Sequence, residues 1–214
     1  MDENNRSQKL FFDAYRGMFR GDFVSAVLLR IAARYINDSV LDVGAGSGAL
    51  VEILRKRNLN AIGVDICARP PFVQEGAVTN LPYKEQSFGT VFCTELLEHL
   101  TSEEARKGLI EIYRVMREKG FLIVTVPYRE DLNRNTITCP KCGHEFHRYC
   151  HVRSYDETSI TEEIKRAGFY IKLVKIYALG AMAKIPFGRY FNFIFKMMKF
   201  EILQKSIVVI AQKR

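Results

Sequence analysis

The 214-residue sequence predicts a single α/β domain built on a mainly parallel sheet. Two patterns carry that expectation. Short, strongly apolar runs of strand length recur between stretches of helical periodicity, and a glycine-rich turn, "GAGSG", directly follows the first of these runs. Length sets the bound, because a chain of this size supports one sizeable core and at most a small appendage.

The elements are expected in this order. Two helices open the chain, "SQKLFFDAYRGMF" and, after Gly21, "DFVSAVLLRIAARYI", with Asp22 as its cap. Strand "SVLDV" leads through the glycines into helix "GALVEILRKR", and strand "NAIGVDI" follows. The stretch "PFVQEGAVTNLPYKEQ" reads as loop, and strand "GTVFCT" comes next. A helix then begins near Thr101, where Thr101 and Glu104 make a capping box and Ala105, Leu109, Ile112 and Met116 fall on one face. Strand "FLIVTVP" is followed by an interruption rich in cysteine and histidine. The alternation resumes with helix "DETSITEEIKRAG", which buries Ile160, Ile164 and Ala167 and stops at Gly168. A strand near "FYIKLVKIYA", a long apolar and basic stretch, and a last strand "SIVVIAQKR" complete the chain.

Composition narrows the function classes. The start, "MDENNRSQKL", is polar and has none of the apolar centre of a secretory signal, and no apolar stretch approaches the ~18 residues of a membrane span. A cytoplasmic protein is therefore expected. The net charge of +8 suits an acidic partner such as nucleic acid, phospholipid or an anionic small molecule, or simply aids solubility.

Gly44, Gly46 and Gly48 lie where a strand turns into a helix, the carboxyl end at which α/β sheets bind ligands. Glycines there let main chain approach a ligand, and the helix start offers free amides. The spacing is G-x-G-x-G, not the G-x-G-x-x-G of dinucleotide binders. Asp42 stands two residues before it, and Asp65 ends the second strand, placed to accept two ribose hydroxyls.

Taken in order, "VLDVGAGSGAL", "IGVDI", "NLPYKEQSFGTVFCTELLEHL" and "YRVMREKGFLIVTVP" resemble the successive motifs of class I S-adenosylmethionine-dependent methyltransferases. The likeness is strongest to the type 11 branch that includes quinone-biosynthesis methyltransferases. It implies a Rossmann-like seven-stranded sheet with helices on both faces and an antiparallel last strand. Residues 1–36 would then be N-terminal helices covering the active site of a methyltransferase domain over 37–214. The resemblance also implies cofactor roles: Asp42 and the backbone of Gly44, Ala45, Gly46 and Gly48 for the methionine part, Asp65 for the ribose, Ile66 and Ala77–Val78 for the adenine, and Cys93 and Thr94 beside the methionine group. Two departures stand out, since the family often has an acidic residue where Ala77 stands and usually Asp at Gly89.

Methyl transfer from a sulfonium depends chiefly on alignment, with a general base needed only when the acceptor must lose a proton. Glu95, Glu98 and His99 in "TELLEHL" are expected at the mouth of the site, with Glu98, His99 and Tyr128 as catalytic candidates. The (Asp/Asn)-Pro-Pro-(Tyr/Phe) motif of amine methyltransferases acting on DNA bases is absent after the fourth strand, which argues against such an acceptor. A small-molecule or lipid-like acceptor is expected, with a non-catalytic scaffold on RNA or a protein partner as the alternative.

The insertion over 133–153 contains "CPKCGHEFHRYCH". Cys139-x-x-Cys142-Gly143 has the spacing of a zinc knuckle, and Cys142-x4-His147-x3-His151 completes a Cys2His2 set, with His144 and Cys150 as alternates. The segment resembles an insertion of some relatives, in which glycine precedes the last histidine; here Cys150 stands there. Four protein ligands would make the zinc structural, folding a loop over the acceptor side and bringing Arg148 and Arg153 to an anionic acceptor. The stretch 178–204, if helical, aligns Phe187, Phe191, Ile194 and Met198 beside Lys196 and Lys199, which suits contact with a membrane surface or cover for an apolar acceptor.

Overall fold

The computed structural model describes Lys9 and residues 22–68, 71–180 and 205–214. Apart from Lys9, the first expected helix lies outside the described residues, as do residues 181–204 of the apolar and basic stretch. Helix α1 spans Asp22–Ala32 and runs on through a 3-10 turn over Ala33–Tyr35. It is followed by β1 (Ser39–Val43), α2 (Ala49–Lys56), β2 (Asn60–Asp65), β3 (Val73–Glu75) and β4 (Phe88–Thr94). Then come α3 (Ser102–Val115), β5 (Met116–Pro127), the short strands β6 (Thr136–Thr138) and β7 (Glu145–His147), α4 (Glu157–Arg166), β8 (Tyr170–Tyr177) and β9 (Ser206–Gln212).

Seven strands form one sheet in the order β3-β2-β1-β4-β5-β9-β8, while β6 and β7 pair only with each other. Strands β1 to β5 are parallel, and β9 runs antiparallel to both β5 and β8, as the resemblance implies. Chain order reverses between β2 and β4 on either side of β1, which opens the crevice where α/β sheets bind ligands. Register aligns the carboxyl ends: Val43 lies opposite Val64 and Cys93, and Thr94 opposite Thr125. Gly44, Asp65 and Glu95 therefore emerge on one edge.

The sheet is apolar on both sides because successive residues of each central strand point to different cores. Leu41, Val91, Cys93, Leu122, Val124, Ile207 and Val209 pack with Leu109, Ile112, Ile160 and Ile164 of α3 and α4. Val40, Phe92, Ile123, Val208 and Ile210 pack with Leu28, Leu29, Leu50 and Leu54 of α1 and α2. This alternation explains why the strands read as continuous apolar runs.

The capping box is present: the Glu104 amide donates to Thr101 Oγ1 at 3.3 Å, and the Thr101 amide to Glu104 Oε2 at 2.8 Å. Met116 is buried as expected but begins β5 rather than ending the helix. Strand β3 occupies residues read as loop, since a three-residue strand with only Val73 buried leaves no period to detect. Gly89, where the resemblance leads one to expect Asp, has a packing reason: a Cβ there would lie 2.8 Å from Asn37 Cβ, and Asn37 Nδ2 donates to the Gly89 carbonyl at 3.0 Å. No helix among the described residues is long and apolar enough to cross a membrane.

Candidate functional site

The glycine turn is built by β1 and β2 together. The amides of Gly44 and Ala45 both donate to the Val64 carbonyl, at 2.9 and 3.1 Å, which draws the turn against the end of β2. Gly44, Gly46 and Gly48 have φ of +74°, +51° and +80°, the left-handed region that favours glycine. Their surroundings differ. A Cβ at Gly44 would lie 3.0 Å from Leu96 Cδ1 and one at Gly48 2.9 Å from Val73 Cγ2, whereas one at Gly46 would meet nothing within 4 Å. The first and third glycines serve packing, and the second keeps a space open.

Two carboxylates flank that space. Asp65 Oδ2 accepts the Gly46 amide at 2.8 Å and Oδ1 the Cys67 amide at 2.8 Å. Asp42 is 2% exposed, and its Oδ1 has no hydrogen-bond partner. Burial, with a contribution from the nearby Asp65 charge, pushes the Asp42 carboxyl up to about 8. A buried, unsatisfied oxygen beside an open cradle is a place for a cationic ligand group.

Ile66, Ala77 and Thr94 are half-buried near the strand ends. Val78 and Cys93, in contrast, turn their side chains into the core, 8% and 0% exposed, so at these two positions only main chain faces outward. Tyr128, at the end of β5, packs partly buried on the core with the Arg129 guanidinium 5.2 Å over its ring.

A second group of polar side chains gathers beyond β4. Glu95 enters it with φ of +48°, its amide shared between the Thr125 carbonyl and hydroxyl at 2.9 and 3.2 Å. Leu97–His99 form a 3-10 turn whose Glu98 carbonyl accepts the amides of Val152 and Arg153, at 2.9 and 3.2 Å. The end of the insertion is thereby sewn to β4, which brings His151 against Glu98 and His99. One ligand-type atom from each of these three lies within 4.8 Å of the others, and the same holds for Glu130, His147 and His151.

Hydrogen bonds fix how the rings are held. His99 Nδ1 lies 3.3 Å from the Cys150 carbonyl, so that nitrogen carries a proton. His151 Nδ1 is in close contact with Glu130 Oε2. His147 Nδ1 accepts the amides of Tyr149 and His151, at 3.3 and 3.1 Å, which leaves its proton on Nε2, 3.6 Å from Glu130 Oε1. Glu130 thus faces two imidazoles. His99 and His151 meet edge to face at 4.7 Å, and His147 stacks on His151 at 4.8 Å.

Glu98 is 1% exposed and neither carboxylate oxygen has a partner. Desolvation, with the Glu95 charge adding to it, holds the Glu98 carboxyl well above the usual range. Glu95 keeps a solvent-accessible side chain although protein crowds its carboxyl, which is also raised, chiefly by desolvation. Burial opposes charge on Glu130, yet the His151 hydrogen bond and the neighbouring imidazoles outweigh it and hold Glu130 low.

Burial, then the His151 charge, depress His99 to about 3, far below 6.5, so it is neutral at physiological pH. Above pH 6.5 the folded and unfolded chains both carry neutral His99; below it the unfolded chain takes up a proton the folded one refuses. In metal-free protein, native stability relative to His99→Gln should therefore fall as pH drops from 7 to 5. Melting curves of both proteins across that interval measure this.

The Cys2His2 set is not brought to one centre. His147 and His151 turn toward Glu130 in the loop after β5, while Cys139 and Cys142 stand at the turn joining β6 to β7. Among the described residues, neither thiol joins a cluster of three or more potential ligands within 4.8 Å. The alternates do not complete it: the His144 ring lies beside Phe146, 6.1 Å between centroids, and Cys150 is half-buried. Cys150 has φ of +58°, in the left-handed region that favours glycine. Arg153 is not free to meet an anion, because its guanidinium grips both Glu163 oxygens, at 3.1 and 2.5 Å, and lies 4.8 Å over the Tyr155 ring. Glu130 escaped sequence reasoning, and its only signal was an acidic residue just past the end of β5.

Residues 41–124 match the family model of a methyltransferase domain. An uncharacterized protein of Methanocaldococcus jannaschii is 30% identical over 103 residues, 46% of this chain and 44% of that one; the aligned stretch spans less than half the length of this curated relative. Among solved structures, an S-adenosylmethionine-dependent methyltransferase of Methanosarcina mazei superposes with a TM-score of 0.64 at 16% identity, covering 86% of this chain and 96% of the other. A Burkholderia thailandensis 1,6-didemethyltoxoflavin-N1-methyltransferase, with its substrate and S-adenosylhomocysteine bound, gives 0.65 at 15% identity, covering 100% and 91%. These structures share the fold, and the match to the methyltransferase-domain model runs from Leu41 to Val124.

Proposed function

We propose that this chain is an S-adenosylmethionine-dependent methyltransferase that holds its methyl donor at the Gly44–Gly48 turn and a hydroxyl-bearing small-molecule acceptor at Glu98, His99 and His151. The donor site fits on three counts. Asp42 offers an unpartnered buried oxygen to the donor's α-ammonium, Gly46 leaves its space empty, and Asp65 is ready to turn a carboxylate toward ribose hydroxyls. Once bound, the donor supplies a methyl group on a positively charged sulfur. The Burkholderia relative, which carries the demethylated cofactor, agrees with this use of the fold.

The observation that carries the acceptor side is the Glu98 carboxylate, buried with both oxygens unsatisfied beside two imidazoles. A buried carboxyl without partners costs several kcal/mol unless it stays protonated or meets a cation. The two rings are held as metal-ligating histidines usually are, with Nδ1 of His99 facing a backbone carbonyl and Nδ1 of His151 facing a carboxylate. The cluster thus suits a divalent cation, which when bound would polarise the acceptor oxygen and ease loss of its proton. Glu130 and the Cys150 carbonyl orient the two rings, and Glu95 is the accessible carboxylate placed to receive that proton. Resemblance to quinone-biosynthesis methyltransferases supports an aromatic hydroxyl as the acceptor.

Metal removal tests this reading. Transfer of labelled methyl to a panel of phenols should fall at least about tenfold in chelator and return with manganese or iron(II). Transfer unchanged by chelation would remove the cation from the account.

A further inference from the structure

We infer that Cys139 and Cys142 are half of a zinc site whose other half is the same cysteine pair of a second copy of this chain. The inference starts from the failure of the Cys2His2 set and stands apart from the methyltransferase reading, because neither cysteine belongs to the donor or acceptor cluster.

The pair has the local form of a zinc-binding turn. The backbone amides of Lys141 and Cys142 face the Cys139 sulfur, and the Cys142 thiol lies beside them. The Gly143 amide closes the turn onto the Cys139 carbonyl at 2.9 Å, with Gly143 at φ +72°. The Cys139 amide in turn donates to the His144 carbonyl at 2.8 Å, so main chain holds both arms of the turn. Main-chain hydrogen bonds thus shape the loop that carries the two sulfurs.

A structural zinc takes four ligands, and the described residues supply only two here. No third histidine, cysteine or carboxylate atom of the described residues joins both thiols within 4.8 Å. His147 and His151 are committed to Glu130, and Cys150 lies at the opposite end of the insertion with its carbonyl on His99.

Access decides who completes the site. Cys142 is exposed, and the two-stranded β6–β7 unit pairs with no strand of the main sheet, so a second molecule can reach its tip. A second copy brings the same pair, and a twofold axis through the metal satisfies four-coordination with one surface patch, the commonest symmetry of homo-oligomers. Charge favours the arrangement as well. The chain carries +8, which opposes self-association, whereas four thiolates around one zinc bring a local excess of negative charge beside Lys141 of each copy. Each thiol gives up its proton to solvent as its sulfur–zinc bond forms, so assembly strengthens as pH rises.

Cobalt provides the test, because thiolate ligands produce an intense sulfur-to-cobalt absorption that carboxylates and imidazoles do not. Metal-free, reduced full-length protein is titrated with cobalt or zinc while light scattering reads its mass. The thiolate band should saturate at one cobalt per two chains, and the mass should double with either metal. Cys139→Ser/Cys142→Ser should lose both the band and the doubling, and His144→Ala should keep both. Saturation at one cobalt per chain with unchanged mass would overturn the inference by showing that the chain completes the site alone. Absence of the band, or loss of the dimer in His144→Ala, would overturn it too. None of these readouts depends on methyl transfer, so a failed activity assay leaves the test intact.

Discussion

Glu98→Gln is expected to lower methyl transfer by about a hundredfold or more while leaving the affinity for S-adenosylmethionine unchanged. The substitution keeps the side chain's shape and removes the charge that holds a cation or takes up a proton. Glu98 lies within the 3-10 turn over Leu97–His99 and is not one of the groups that form the donor cradle, so the donor should not sense the change. Glutamine also brings an amide that must find partners in a place that offered the carboxylate none, and folding should be checked by melting temperature. The separation of effects is the informative result. A matching loss of donor affinity would show that Glu98 supports the cradle, and unaltered turnover would remove it from the acceptor site.

Gly46→Val carries the second large effect, with the opposite signature. A side chain at Gly46 meets no protein atom, so it projects into the space reserved for the donor. The affinity for S-adenosylmethionine should fall by a factor of about a hundred or more. The stability cost should stay near that of placing a branched residue in the left-handed region, about 1–3 kcal/mol. Gly48→Ala should behave differently, because its Cβ collides with Val73 Cγ2 at 2.9 Å and φ is +80°. There the loss is mainly of stability. Calorimetric titration and urea unfolding of the two variants separate a glycine that leaves room for ligand from one that leaves room for protein.

Much of the fold was legible because its causes are local. Thr101 and Glu104 announce a helix by their spacing alone, and the apolar runs of β1, β4, β5 and β9 announce strands buried on both faces. The cradle proposed for the donor was legible for the same reason, since the glycines, Asp42 and Asp65 lie at or near the ends of consecutive strands. The acceptor cluster was only half legible. Glu98 and His99 stand in one turn, but Glu130 and His151 reach them through the sheet and the return of the insertion, contacts no spacing along the chain encodes. The Cys2His2 expectation failed on the same point. Counting residues from Cys142 to His147 and His151 gives a permissible ligand spacing, yet a carboxylate from the end of β5 occupies both imidazoles. Gly89 was a departure from family pattern until Asn37, fifty-two residues earlier, was seen against it.

The donor cradle is the claim on which the account rests, and titration calorimetry with S-adenosylmethionine tests it most directly. Asp42, raised to about 8, is mostly protonated at pH 7, and an ammonium group placed against it would make it ionise. Binding should therefore saturate at one donor per chain and release about one proton, read from the dependence of the heat on buffer ionisation enthalpy. Affinity should strengthen as pH rises from 6 toward 8. A folded protein that gives no saturable heat with this donor or its demethylated product would contradict the account.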